Sequence, residues 1–142
     1  MRALLDVNVL IALHDREHVH HERAAHWFES TIEDGWASCP LTQNGCLRVM
    51  SQAGYSKPLP LALLSGMLQR STDTSFHRLW SDDISILDAK RFNLPHIHSA
   101  RQLTDLYLLG LAVKHKGRLA SFDRRIPLSA VVGATPAHLV TL

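Results

Sequence analysis

The chain has 142 residues, of which 46% are hydrophobic and 20% are charged, as expected for one ordinary globular domain. Fifteen Lys and Arg residues against 13 acidic residues give a formal net charge of +2, which permits a nucleic-acid partner without arguing for one. No apolar run approaches the roughly 20 residues of a membrane span, and Cys39 and Cys46 follow no zinc-binding or disulfide spacing. The composition therefore excludes a disulfide scaffold, a zinc knuckle and a membrane-spanning protein.

The beginning of the chain superficially resembles a secretion signal, because a basic residue precedes an apolar run. Asp6 and Asn8 interrupt that run, and no small-residue cleavage site follows it. No repeat, linker or low-complexity tract divides the rest. We therefore expect a cytoplasmic protein that forms a single domain over residues 1–142.

Short apolar runs alternate with segments of helical periodicity along the whole chain. The predicted strands are 3–5, 36–39, 76–80, 118–122 and 138–142. The predicted helices are 7–15, 18–34, a segment near Thr42, 60–70 and 101–115.

Two glycines are placed where these helices should end. Gly35 follows the helix at 18–34, whose apolar face includes Val19, and Gly117 follows the helix at 101–115, before which Ser99 is a plausible cap. Strands that alternate with helices build βαβ units. The predicted fold is therefore α/β, with a mostly parallel central sheet flanked by helices in three layers.

Residues 39–46, CPLTQNGC, allow two interpretations. Asn44-Gly45 favours a hairpin turn, whereas the residues that follow could form a helix with Thr42 and Gln43 on its first turn. In a hairpin, Gln43 would have no special role. In a helix, it could face a functional site.

Three aspartates are predicted to meet at one edge of the sheet. Asp6 follows the first strand and Asp123 follows the strand at 118–122, so both should emerge at the carboxyl edge, where such sheets bind ligands. Asp105, preceded by Thr104, lies in the first turns of the helix that leads into that strand, and it can join them.

Carboxylates crowded in this way repel one another unless a cation lies between them. Mg²⁺ prefers oxygen ligands and retains several waters. Such an ion can bind a phosphate oxygen and lower the pKa of a bound water. The three aspartates therefore predict a site for phosphodiester hydrolysis.

Four segments together resemble a PIN domain of the VapC toxin type. They are LLDVNVLIAL at 4–13, LTQNGCLRV at 41–49, LTDLYLLGLAVKHKGRLASFDR at 103–124 and IPLSAV at 126–131. The resemblance implies a PIN-like fold and a Mg²⁺- or Mn²⁺-dependent endoribonuclease. It also implies a VapB-type antitoxin that blocks the site, and a homodimer.

The resemblance further assigns roles to individual residues. Asp6, Asp105 and Asp123 match the acids that hold the metal, and Asn8 and Ser121 match small polar residues that support the first and last of them. Thr42 and Thr104 are further candidate supporting residues. Gln43 stands where the family usually has a glutamate, which implies a helix start at TQNG with Asn44-Gly45 in its first turn. Because three carboxylates suit one divalent ion, we expect one well-bound metal and a Gln43 that positions a metal-bound water or an acid.

Basic and histidine-rich segments are the remaining candidates for a functional role. Arg124, beside Asp123, is best placed to contact RNA phosphate. The histidine-rich segment 14–26 is expected to be a solvated helix start, because His21 and His26 are five apart rather than the four that place two imidazoles on one helix face. A rival hypothesis is a catalytically weak RNA- or antitoxin-binding module, in which loss of the fourth carboxylate has cost the metal.

Overall fold

The computed structural model describes residues 1–142 and builds them around one five-stranded sheet. The strands are β1 (Ala3–Leu5), β2 (Trp36–Ser38), β3 (His77–Leu79), β4 (Arg118–Ser121) and β5 (Leu139–Thr141). Their order is β3-β2-β1-β4-β5, and every neighbouring pair is parallel. The predicted α/β fold is confirmed, with a sheet that is entirely rather than mostly parallel.

Five α-helices cover the two faces of this sheet. They are α1 (Val7–His14), α2 (His21–Thr31), α3 (Pro40–Ser51), α4 (Leu61–Thr72) and α5 (Leu103–Lys114). Leu4 of β1 faces the core that α5 covers, whereas Leu5 faces the core built by α1, α3 and α4. Both leucines are fully buried, as a three-layer arrangement requires. None of these helices is long and apolar enough to cross a membrane.

Helix α2 begins later than the pattern predicts, at His21 rather than at residue 18. The Nδ1 atom of His18 accepts the backbone N–H of His20 at 3.1 Å, and Asp15 Oδ1 accepts that of Glu17 at 3.0 Å. Such local side-chain bonds compete with helix formation. Val19 is consequently 86% exposed, so its predicted place on the apolar face is wrong.

The helix ends beside both glycines behave differently. Gly35 has a φ of 80° directly after a 3-10 turn that extends α2, as predicted. At the end of α5 the left-handed residue is Lys116, with a φ of 55°, rather than Gly117. Gly117 is required for another reason, since a Cβ there would lie 2.6 Å from the carbonyl oxygen of Arg2. The predicted start of α5 is also early, because Ala100–Gln102 form a 3-10 turn whose first residues Ser99 caps.

Residues 40–46 are helical, so the hairpin interpretation is wrong. Helix α3 begins at Pro40, whose fixed φ suits the first helical position. The buried Thr42 hydroxyl lies 3.0 Å from the Cys39 amide nitrogen and 3.1 Å from the Cys39 carbonyl oxygen, which fixes the helix start. Asn44-Gly45 therefore fall in the second turn rather than in the predicted first turn.

Gly45 lets α3 approach the beginning of α1. A Cβ built on it would lie 2.7 Å from Cγ2 of Val7, and that β-branched side chain has little freedom to move away. We expect Gly45→Ala to lower the free energy of unfolding by about 1–2 kcal/mol, measured by urea or thermal unfolding. The sign of this change identifies its cause. At an uncrowded helix position, replacing glycine by alanine raises the free energy of unfolding by up to about 1 kcal/mol.

Gly66→Ala in α4 is the matched control. Its new Cβ would meet only the end of the flexible Arg70 side chain, at 3.4 Å. This variant should be as stable as the wild type or more so. A Gly45→Ala protein that matched the control would show that the two helices are free to separate.

Candidate active site

Asp6 lies at the carboxyl end of β1 and is almost completely buried. Its backbone N–H donates to the Ala120 carbonyl oxygen, and its own carbonyl accepts the amides of Val9 and Leu10, which begin α1. The side-chain oxygen Oδ2 accepts a hydrogen bond of 2.9 Å from the Ser121 hydroxyl. Asp6 is therefore fixed at the junction between β1 and β4.

Asp123 lies two residues beyond β4 and is joined to Asp6 through Ser121. The Asp123 backbone N–H donates to the Ser121 hydroxyl oxygen at 3.1 Å, while that hydroxyl donates to Asp6. Ser121 is fully buried, so this bridge is shielded from water. The structure thus brings together three of the residues that the sequence placed at this edge.

Asp105 is the third residue of α5 and is half-buried. Burial, and to a smaller extent the negative charges of Asp6 and Asp123, together raise the pKa of its carboxyl to about 6. The pKa of Asp6 is also raised, mainly by burial and against the hydrogen bond from Ser121. The three carboxylates are therefore close enough to disfavour one another's charge.

The donor set fits a hard divalent cation by its chemistry. No group of three or more His, Cys, Asp or Glu side chains is gathered closely enough to enclose an ion by itself. Mg²⁺, however, keeps several waters and is commonly held through only one or two carboxylates. A cation would also relieve the repulsion that raises the pKa of Asp105. The aspartates thus form an edge at which Asp105 and Asp123 are partly exposed, rather than a closed protein cage.

Comparison with known proteins identifies the family of this chain. The family model of the PIN domain matches residues 3–131. The chain is 55% identical to "Ribonuclease VapC44" of Mycobacterium tuberculosis over 142 residues, which is 100% of both chains. The chain belongs to the PIN domain family, in its VapC branch.

Two further relatives from the same organism are more distant. "Ribonuclease VapC39" is 36% identical over 138 residues, covering 94% of this chain and 96% of the relative. "Ribonuclease VapC38" is 38% identical over 145 aligned positions, covering 99% of each chain. The similarity therefore extends over nearly the whole PIN domain.

Gln43 of this PIN domain lies on the first turn of α3, at the carboxyl end of β2. Its Nε2 donates to the Ser38 hydroxyl oxygen at 3.0 Å, and that oxygen lies 2.8 Å from Nε2 of the buried His77. Gln43 forms no hydrogen bond with any of the three aspartates. It also lines a cavity of about 310 Å³ between α3 and α4.

The other predicted supporting residues are placed in different ways. Asn8 and Thr104 are exposed in the first turns of α1 and α5, each beside one of the aspartates. Thr42 is completely buried and serves the start of α3. In this PIN domain, Thr42 therefore acts on the backbone of α3 rather than at the acidic edge.

The basic residue that contacts Asp123 is Arg125, to which the sequence prediction gave no role. The Arg125 backbone N–H donates to Asp123 Oδ1 at 2.8 Å, and its Nε lies 3.6 Å from the same oxygen. Arg124 is exposed beside it. The pair of adjacent arginines was visible in the sequence, but the direction of each side chain depends on the turn after β4.

A polar cavity of about 220 Å³ adjoins Asp123 and was also missed. No apolar residue lines it; its walls are Ser99, Arg101, Gln102, Asp123 and Arg125. Gln102 Nε2 donates to the Arg125 carbonyl oxygen at 3.2 Å, which ties the start of α5 to the turn after β4. This PIN domain therefore places two guanidinium groups beside its acidic edge.

Proposed function

We propose that this protein is the endoribonuclease toxin of a toxin–antitoxin pair and that it hydrolyses RNA phosphodiester bonds with Mg²⁺ or Mn²⁺. The observation that carries the proposal is the meeting of Asp6, Asp105 and Asp123 at the carboxyl edge of a parallel sheet. The names of the relatives, each a ribonuclease of the VapC series, support it.

Each aspartate contributes to this proposed site in its own way. Asp6 is oriented by Ser121, whose hydroxyl donates to Oδ2, so that its carboxylate is held in one direction beside the other two aspartates. Asp105 is half-buried and remains accessible to water and RNA. When bound, a divalent cation would polarise the scissile phosphate and lower the pKa of a water.

The proposed RNA backbone contacts lie beside Asp123. Arg101 and Arg125 line the polar cavity there, and Arg124 is exposed next to it. Phosphate contacts from arginine fix the register of a nucleic acid without reading its bases. We assign these three arginines to positioning the RNA strand over the carboxylates.

The proposed partners are a VapB-type antitoxin and a second copy of this chain, in the cytoplasm. The VapC names of the relatives support the antitoxin. Leu61 and Leu63 of α4, which are 57% and 49% exposed, support an interface between copies. Light scattering at micromolar concentration tests the dimer, and a monomeric mass there would refute it.

Cleavage of labelled single-stranded RNA tests the proposed function. We expect turnover in Mg²⁺ or Mn²⁺, loss of turnover in EDTA and recovery on addition of excess Mn²⁺. An Asp6→Asn protein purified in parallel controls for contaminating nucleases and should be inactive, since it keeps the volume of the side chain but removes its charge.

A second candidate function is a binding module with weak or no catalysis. It is favoured by Gln43 at the position of the usual glutamate and by the absence of a closed ligand cluster. RNA or antitoxin binding without turnover in either metal would support this candidate and refute the first.

A further inference from the structure

A cationic and aromatic cluster lies outside the acidic site, where the α1–α2 loop meets the end of β4. The rings of His20 and Phe122 have centroids 4.6 Å apart, tilted by 37°. The Arg23 guanidinium carbon lies 5.2 Å from the Phe122 ring centroid. Arg23 Nη2 is also 3.1 Å from His20 Nδ1. We call His20, Arg23 and Phe122 the stacking cluster.

The stacking cluster is adjacent to the proposed catalytic edge. Phe122 lies directly between Ser121, which holds Asp6, and Asp123. It packs against the core that α1 and α3 cover, whereas the polar arginine cavity is formed at the beginning of α5. The cluster and the cavity therefore flank the carboxylates from two sides.

The composition of the cluster indicates what it can bind. The segment 14–26 gathers no metal-binding group with its neighbours, which removes a metal site as the reason for so many histidines. Arg23 is exposed and makes no ion pair with a carboxylate. His20 Nδ1 accepts the Arg23 N–H, which keeps the guanidinium beside the Phe122 ring. The result is a surface of planar groups with positive charge and no acidic partner.

Unpaired RNA bases stack on aromatic side chains and on arginine planes. We propose that the stacking cluster binds the base of an unpaired nucleotide next to the scissile phosphate of single-stranded RNA. This inference rests on the proposed function for the identity of the ligand. With phosphates held at the arginine cavity and one base held at the cluster, the strand passes over the three aspartates.

Fluorescence anisotropy with a labelled single-stranded RNA octamer in EDTA tests the inference without requiring turnover. Each nucleotide is replaced in turn by an abasic residue. We expect the wild type to lose about tenfold in affinity at one position of the scan, because each stacked base contributes about 1–3 kcal/mol. Cleavage by the wild type in Mg²⁺ is measured separately.

Two variants remove stacking while preserving packing or charge. Phe122→Leu retains an apolar side chain against the core, and Arg23→Lys retains the positive charge but loses the plane. Both variants should bind the intact octamer about five- to tenfold more weakly than the wild type. For both, an abasic residue at the position that weakens binding by the wild type should cause no further loss of affinity. His26→Ala is the control, since His26 is an exposed histidine of α2 that lies outside the cluster.

The outcomes separate this inference from the proposed function. Variants that bind within twofold of His26→Ala, or that remain sensitive to the same abasic position, would overturn the stacking cluster even if the wild type cleaves RNA. A wild type that does not bind the octamer would overturn it as well. Base-sensitive binding without any cleavage would support the cluster and refute the nuclease.

Discussion

Replacing Asp105 by asparagine is expected to abolish metal-dependent cleavage while raising the melting temperature of the metal-free protein at pH 7. Activity should fall at least about 100-fold, because even the loss of an outer partner of a metal ligand costs 10–100-fold. Stability should rise, because burial and the charges of Asp6 and Asp123 hold the pKa of this carboxyl at about 6. After allowance for solvent screening of a half-exposed group, the gain is about 1 kcal/mol, or about 3 °C.

The same pKa gives this stabilisation a definite dependence on pH. A carboxyl whose pKa is raised by folding binds its proton more tightly in the folded state than in the unfolded state. In EDTA the stability contributed by this carboxyl should therefore be lost as the pH rises from 3.8, the ordinary pKa of an aspartate, to about 6. The advantage of Asp105→Asn should be complete at pH 7 and should disappear near pH 4, as measured by thermal unfolding at both values.

Asp73→Asn is the matched control, because Asp73 is an exposed aspartate at the end of α4, away from the acidic edge. It should change neither cleavage nor the melting temperature. An Asp105→Asn protein that cleaves RNA at the wild-type rate would remove Asp105 from the metal site. An Asp105→Asn protein that melts at a lower temperature than the wild type in EDTA would show that the three carboxylates do not repel one another.

Gln43→Glu is expected to tighten Mn²⁺ binding on the order of tenfold, since the number of ligand charges sets the affinity of such sites. The change adds a carboxylate at the end of β2, the strand next to β1 and Asp6. The Ser38–His77 pair can accommodate it. Ser38 would donate to the new carboxylate and accept from Nε2–H of a neutral His77, whose pKa burial lowers, at the cost of the hydrogen bond between that ring and the Thr72 backbone. Titration calorimetry with Mn²⁺ measures the effect.

Two controls define what the new charge does. Gln69→Glu places a carboxylate on α4 across the same cavity and should leave the Mn²⁺ affinity within about twofold of the wild type. Gln43→Ala removes the hydrogen bond to Ser38 and should slow cleavage without tightening metal binding. Equal affinity in the wild type and in Gln43→Glu would place Gln43 outside the metal site.

The sequence predicted those parts of the fold that depend on local periodicity and on the direction of parallel strands. Asp6 and Asp123 could be placed at one edge because each lies within two residues of the end of a strand, and parallel strands end on the same side. Asp105 followed because a helix that leads into such a strand begins there. These relations require no knowledge of which strands are neighbours.

Features that depend on individual side-chain contacts could not be predicted in this way. The late start of α2 reflects hydrogen bonds from Asp15 and His18 to the backbone. The stacking cluster joins His20 to Phe122, about a hundred residues away, and no pattern within either segment indicates the other. The contact of Arg125 with Asp123 likewise depends on the turn after β4.

The position of β1 in the middle of the sheet has a consequence for how the chain is made. Ala3 pairs with Trp36 on one side and with Arg118 on the other. The pairing of β1 with β4 therefore joins residues that are more than a hundred positions apart in the chain. Segments near the amino terminus leave the ribosome first, and such distant pairings form late. A nascent chain that has reached only β3 carries Asp6 without Ser121 to orient it and without two of its acidic neighbours. Synthesis must pass Asp123 before the acidic edge can exist. Until then, the growing chain presents no complete copy of the proposed metal site to the messenger that is being translated.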